Sequence, residues 1–316
     1  MDDLETINRA LQAKDDLLTS RFTVPEMPVT FLIEAGRCGS TVLIQLLGNA
    51  MRLGYVSRVL AKYWLAPYCG CVMEKEILRQ EEIADFDFRY QKTMGPHEPN
   101  EWGWFWKHWL RLGKGQYYCT EPERIDGAGL CRKLAAMESV KQAPLFFDNV
   151  YAKANLDTLR GIIPNILVLR LRRDPYYVCN SHLNARLKCY GNLRRRQGHP
   201  PRGMAEIERL EDPVEQIVVQ IKRVIEEIEE SLAKLPAGHI HTVDYLDIVA
   251  DPKGETERFA GFLESHGARV ERRRSALPER LENKNDQAVF VPEYKDRLDR
   301  YFDKHFGSAA VSRVAM

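Results

Sequence analysis

The residues best suited to chemistry lie in Ala35-Gly36-Arg37-Cys38-Gly39-Ser40-Thr41. Gly36 and Gly39 let a chain curl closely around an anion, in backbone conformations other residues resist. Ser40 and Thr41 add hydroxyl donors, and Arg37 adds a planar cationic fork that fits phosphate or sulfate oxygens. The loop departs from GxxxxGK(S/T), because Ser40 rather than lysine follows Gly39, so binding of an ATP γ-phosphate with magnesium is less expected. A second anion-binding segment is Arg172-Arg173-Asp174-Pro175-Tyr176-Tyr177-Val178-Cys179-Asn180-Ser181. Arg173 ends an apolar run, and Ser181 follows eight residues later, two turns into the next helix. A guanidinium and a hydroxyl placed so can grip one phosphate from two sides. For proton transfer, His97 and Glu98 in Gly95-Pro96-His97-Glu98-Pro99 put two titratable groups on a prolyl loop.

These segments need rigid elements to hold them. Val29 to Ile33 is a short apolar run suited to a buried strand, and Val42, Leu43, Leu46 and Leu47 after the loop recur with helical period. That order, strand then tight loop then helix, offers unpaired amides at the positive end of a helix dipole, where phosphate binds readily. Further strands are expected over Pro144–Phe147, Ile166–Leu171 and Ile240–Val243. Helices are expected over 2–20, 152–162, from Asp174-Pro175 onward, over Pro213–Leu235, and from Asp251-Pro252, where aspartate caps and proline takes the first helical position. Alternating strands and helices predict an α/β fold, a three-layer sandwich around a central parallel sheet with a P-loop-like strand-loop-helix. The chain is expected to form a single domain over 1–316, with its core at about 25–270 and a helical insertion at about 55–140. The insertion holds Glu101-Trp102-Gly103-Trp104-Phe105-Trp106-Lys107-His108-Trp109, four of the five tryptophans, suited to core packing, to a pocket wall, or to both.

Composition narrows the partners. The 316 residues carry 46 basic and 45 acidic side chains, a net charge of +1, so no bulk field favours nucleic acid or an acidic membrane. Any anion site is local. The seven cysteines lack the spacing of a zinc site or a disulfide framework, so reduced thiols, no metal and a cytoplasmic location are expected. The acidic N-terminus lacks a signal-peptide core, and no run approaches the roughly 20 apolar residues of a membrane span. Arg194-Arg195-Arg196 and Arg272-Arg273-Arg274 read as surface charge or as anion contacts.

Together the two anion segments resemble those of the PAPS-dependent sulfotransferases, in which the loop after the first strand binds the 5′-phosphosulfate and an RDPxxVxxS-like segment the 3′-phosphate. Arg37 falls where that family carries Lys or Arg, and Cys38-Gly39-Ser40-Thr41 matches its core with cysteine as a departure. Arg173 and Ser181 match the 3′-phosphate pair. Val243-Asp244-Tyr245-Leu246-Asp247-Ile248-Val249-Ala250-Asp251-Pro252 is similar to a later family segment, which brings Tyr245 into the donor site. The resemblance implies transfer of a sulfuryl group from PAPS to a hydroxyl or amine of a small-molecule or carbohydrate acceptor, leaving adenosine 3′,5′-bisphosphate. Two other readings stand beside it: a P-loop-like kinase, and a non-catalytic nucleotide-binding protein of the same fold. The family's Lys-x-His before the 3′-phosphate strand is missing; Phe147-Asp148-Asn149-Val150 stands there. By the same resemblance Asp148 is a candidate base, although an aspartate there also suits a helix cap. Lys153, one helical turn on, is a candidate substitute for the lost lysine.

Overall fold

The computed structural model describes residues 3–78, 95–273 and 276–307. Its centre is a four-stranded, all-parallel sheet of β1 (Val29–Ile33), β2 (Phe146–Phe147), β3 (Ile166–Arg172) and β4 (Ile240–Asp244), in the order β2-β1-β3-β4. Before the sheet comes α1 (Asp3–Thr19). Between β1 and β2 lie α2 (Ser40–Ala50), α3 (Pro67–Leu78), α4 (Gly103–Trp109) and α5 (Gly127–Lys141). The short helices α6 (Val150–Ala154) and α7 (Leu156–Arg160) divide the expected 152–162 helix, and precede β3. Then come α8 (Pro175–Tyr190), α9 (Met204–Ile207) and α10 (Pro213–Leu232), and after β4 α11 (Tyr245–Ala250), α12 (Pro252–Ser265) and α13 (Pro292–Phe306).

Both faces of the sheet are covered, which explains the mainly apolar central strands β1 and β3, whereas the edge strand β4 is mixed and part-buried. On one face Leu32, Phe146, Leu167, Leu169, Leu171 and Val243 meet α2, α8, α10, α12 and α13. The stripe Val214, Ile217, Val218 and Ile221 of α10 belongs to this core, so that helix spends its apolar face on the sheet layer rather than on a coiled-coil partner. On the other face Phe31, Ile33, Phe147 and Val168 meet α4 and α5. Trp106 stands edge-on to Phe31 at 5.5 Å and to Phe147 at 5.1 Å, and Trp102 stacks on Phe105 at 4.1 Å. The tryptophan-rich segment is thus the second core of the sheet. Replacing the fully buried Trp106 with alanine is expected to cost about 3–5 kcal/mol, measured as a lower urea midpoint.

Helix α1 forms where its spacing predicts, but it docks with its polar side inward. Asn8, Asp15 and Thr19 are buried, while Ile7 and Leu17 are exposed. The reason is a buried charge on α5: the Lys133 ammonium reaches Asp15 at 2.7 Å and Thr19 Oγ1 at 3.0 Å. A buried ammonium needs such partners, and that demand overrides the apolar periodicity.

The strand order changes direction at β1, with β2 on one side and β3 on the other. In open parallel sheets the crevice at such a switch point, beyond the strands' C-terminal ends, receives ligands. The loop after β1 opens there. Among the described residues no helix is long and apolar enough to cross a membrane.

Candidate active site

The loop after β1 winds through three positive φ angles, 89° at Gly36, 60° at Arg37 and 102° at Gly39, the last capping α2. Glycine tolerates this conformation; arginine does so at a cost, the kind of local strain found at ligand sites. Cys38 is buried, and burial followed by the Glu34 charge pushes its thiol well above the ordinary range, so it serves as a neutral wall.

On the Gly39 side a cationic cluster gathers. The Arg37 Nε donates to Ser181 Oγ at 3.1 Å, linking the loop to α8. Arg173, just past β3, donates from Nη1 to the Arg37 carbonyl at 2.9 Å and from Nε and Nη2 to Asn285 Oδ1 at 2.8 and 2.6 Å. The Arg173 guanidinium lies 4.7 Å over the Tyr245 ring, whose hydroxyl accepts from the Lys284 N–H at 2.9 Å. A Cβ at Gly39 would stand 3.3 Å from that ring, a tight approach that adds to the demand for glycine set by its φ. Asp174 caps α8 by accepting from the Tyr176 N–H at 2.9 Å, with Pro175 in the first turn, as its sequence predicts. The cap fixes the helix start and so the reach of Ser181.

On the opposite side stands a carboxyl cluster around one ammonium. Lys153 of α6 contacts Glu34, at the end of β1, at 2.5 Å and Asp148, at the end of β2, at 3.4 Å. Glu34 also accepts the Gly36 N–H at 2.6 Å. Burial works to raise the Glu34 carboxyl, but the Lys153 charge and these hydrogen bonds outweigh it and hold it below the ordinary range. At Asp148 burial wins, with Glu34 adding to it against Lys153, and the carboxyl is raised. Glu101 keeps an exposed edge, yet desolvation of its carboxyl and the Asp148 charge push it up to about 7. Asp148 does not cap α6: Asn149 does, accepting from the N–H groups of Tyr151 and Ala152 at 2.8 and 2.9 Å. That leaves the Asp148 carboxylate to the cluster.

A cavity of about 500 Å³ lies between the start of α2 and the carboxyl cluster. Ser40, Thr41, Asp148 and Glu101 line it, with Tyr55, Arg58 and Trp102 among its other walls. His97 and Glu98 do not line it. The buried Glu98 carboxylate accepts from Gln45 Nε2 of α2 at 3.0 Å, and the His97 carbonyl accepts from the Tyr55 hydroxyl at 2.8 Å. Their prolyl loop braces the cavity wall through the Glu98 carboxylate and the His97 backbone, while the His97 ring lies 4.0 Å from Glu98 with its Nδ1 unpartnered among the described residues. The basic runs are also engaged elsewhere. Arg272 pairs with Glu257 and Glu264, Arg273 donates to the Gly48 carbonyl, and Arg274 lies outside the described residues. Arg194 donates to the Glu211 carbonyl, Arg195 stacks on Tyr190, and Arg196 pairs with Glu208. The late residue that meets Arg173 is instead Asn285.

Sequence reasoning missed Glu34, Glu101 and Asn285. Only Glu34 carried a local signal, a carboxylate on the strand end directly before an anion-binding loop.

A parallel α/β sheet with a glycine-containing strand-loop-helix at its switch point, an arginine-serine pair beside the loop and a cavity along it has the architecture of a group-transfer enzyme. The chain matches the sulfotransferase family over residues 28–266, and it belongs to that family. It is a transferase, a sulfotransferase. Its fold is similar to that of a sulfotransferase from Mycobacterium tuberculosis, at 15% identity and TM-score 0.54 over 94% of this chain and 81% of that one. A sulfotransferase from Mycobacterium avium is similar at 12% identity and TM-score 0.53, over 94% and 80% of the two chains. No curated protein matches the chain in sequence.

Proposed function

We propose that this sulfotransferase takes PAPS as donor and passes the sulfuryl group to a hydroxyl or amine of a small-molecule or carbohydrate acceptor held in the 500 Å³ cavity. The observation that carries the reading is the shared cavity wall: the donor-loop hydroxyls of Ser40 and Thr41 and the carboxyls of Asp148 and Glu101 line one space. The loop amides, Ser40, Thr41 and Arg37 hold the 5′-phosphosulfate, while Arg173, Ser181 and Tyr245, with Asn285, form the 3′-phosphate site. Cys38 and Gly39 contribute backbone there. The whole chain is read as one catalytic domain, and its seven free thiols fit a cytoplasmic setting.

In the reaction the acceptor oxygen forms a new bond to sulfur as the bond from sulfur to the 5′-phosphate oxygen breaks. Charge gathering on that oxygen is met by Arg37 and the loop amides. The acceptor proton passes to Asp148, with Glu101 beside it as the second carboxyl of the pair. Lys153 fixes Asp148 and Glu34 at the two strand ends and brings the cationic charge closest to this pair. Adenosine 3′,5′-bisphosphate leaves, and no metal enters the scheme.

Calorimetric titration with adenosine 3′,5′-bisphosphate, AMP, and ATP with magnesium tests the donor. The bisphosphate is expected to bind at least tenfold more tightly than AMP. Preference for magnesium-ATP would move the reading to a kinase, and bisphosphate binding without turnover on a broad acceptor panel would leave a nucleotide-binding protein.

A further inference from the structure

His182 follows Ser181 on α8 and is buried, 2% exposed, yet neither of its ring nitrogens has a hydrogen-bond partner among the described residues. Buried polar groups without partners are rare, because each forfeits its hydration. The ring is closed in from two sides by glycine. A Cβ on Gly36 would stand 3.1 Å from its Nε2, and one on Gly198 would stand 2.7 Å from its Cε1. Both glycines have positive φ, 89° and 81°. The charges facing the ring are Arg37 from the donor loop, Arg186 from α8 itself, and Glu34 from the end of β1. Burial and the two arginines push its pKa down to about 3, so the ring is a neutral imidazole with one N–H to give.

The two glycines of the loop face different ends of the site. Gly39 packs on Tyr245, beside Arg173 and Asn285, the 3′-phosphate side. Gly36 packs on His182, and its N–H is held by Glu34, which is bound to Lys153 and through it to Asp148. His182 therefore stands where the loop turns toward the carboxyl cluster.

Resting on the donor reading above, we propose that His182 is a further contact to the transferring end of the donor, with Nε2 donating a hydrogen bond to a sulfuryl oxygen beside Gly36. Serine and arginine then hold the phosphates, and the imidazole meets the group that moves. The glycine at 198 is required because any side chain there would displace the ring.

The test compares PAPS with adenosine 3′,5′-bisphosphate, which lacks the sulfuryl group, by calorimetry on wild type, His182→Leu and His182→Asn. The leucine variant is expected to lose roughly ten- to a hundredfold in PAPS affinity, the range of a hydrogen bond to a charged group. Its bisphosphate affinity should stay within about twofold, and asparagine, which keeps an N–H, should fall between. Thermal stability of the leucine variant should match or exceed wild type, since an unpartnered polar group leaves the core. Equal PAPS affinity in the leucine variant, or an equal loss for both ligands, overturns the assignment. If that variant does not fold, Gly198→Ala displaces the ring from the far side and should show the same PAPS-selective loss; unchanged selectivity there also overturns it. Wild type that binds neither ligand would instead sink the donor reading itself.

Discussion

Arg173→Ala is expected to weaken binding of adenosine 3′,5′-bisphosphate roughly a hundredfold while leaving the weaker binding of AMP nearly unchanged. Arg173 spends its fork on the Arg37 carbonyl and Asn285 Oδ1 and lays its plane over Tyr245. A phosphate arriving there gains charge-assisted bonds from a guanidinium already held in place, and little side-chain entropy is lost on binding. Arg173→Lys should recover only part of the affinity. An ammonium restores the charge but cannot bond Asn285 and the Arg37 carbonyl in one plane, so the 3′-phosphate meets a mobile partner. Titration of both variants with bisphosphate and AMP measures the difference. Equal losses for the two ligands would mean that Arg173 supports the loop rather than the 3′-phosphate.

The parts of this site legible in the sequence are those whose chemistry is local. A strand run, two glycines and a following helical period are contiguous, and the structure forms that strand, loop and helix as β1, Gly36–Gly39 and α2. Asp174-Pro175 announces a helix start because cap and first-turn proline are neighbours, and the spacing to Ser181 follows from helical geometry. The strands were readable for the same reason, although Pro144 to Phe147 contracts to the pair Phe146–Phe147 at the sheet's edge. The facing of α1 was not readable, since it depends on Lys133, more than a hundred residues away.

The carboxyl cluster is non-local, and the sequence does not show which carboxyls reach the cavity. His97 and Glu98 share a prolyl loop, a pattern that draws attention, yet Glu98 is tied to Gln45 and the pair does not line the cavity. Glu101, three residues on, does line it, because the chain turns at Trp102 (φ 52°) into α4. Asp148 reaches the same space from β2, and only the parallel pairing of β1 with β2 sets it beside Glu34 and Lys153. Asn149 takes the cap of α6, which removes the capping role the sequence also allowed Asp148.

Asp148→Asn is expected to lower turnover about a hundred- to ten-thousandfold with an acceptor found in a panel of alcohols, amines and sugars, the usual contribution of a positioned base. Glu101→Gln should lower it less but change its pH dependence. Both carboxyls are raised above their ordinary range, Glu101 to about 7, and they act on each other, so the limb belongs to the pair. A base works when deprotonated; kcat/KM should therefore rise with pH through about 7 and level off above it, and in Glu101→Gln the limb should move to lower pH because one like charge is gone. Stability runs the other way. A carboxyl whose folded pKa lies above its unfolded value binds more protons in the native state, so its ionisation costs nothing below the unfolded pKa and its full amount above about pH 7. Glu101→Gln should accordingly be more resistant to urea than wild type at pH 8 and no different at pH 4. An enzyme that lost turnover without gaining stability at pH 8 would place Glu101 outside the pair. The opposite pairing, lower activity with higher stability at pH 8, is what a carboxyl whose charged form is disfavoured beside Asp148 requires.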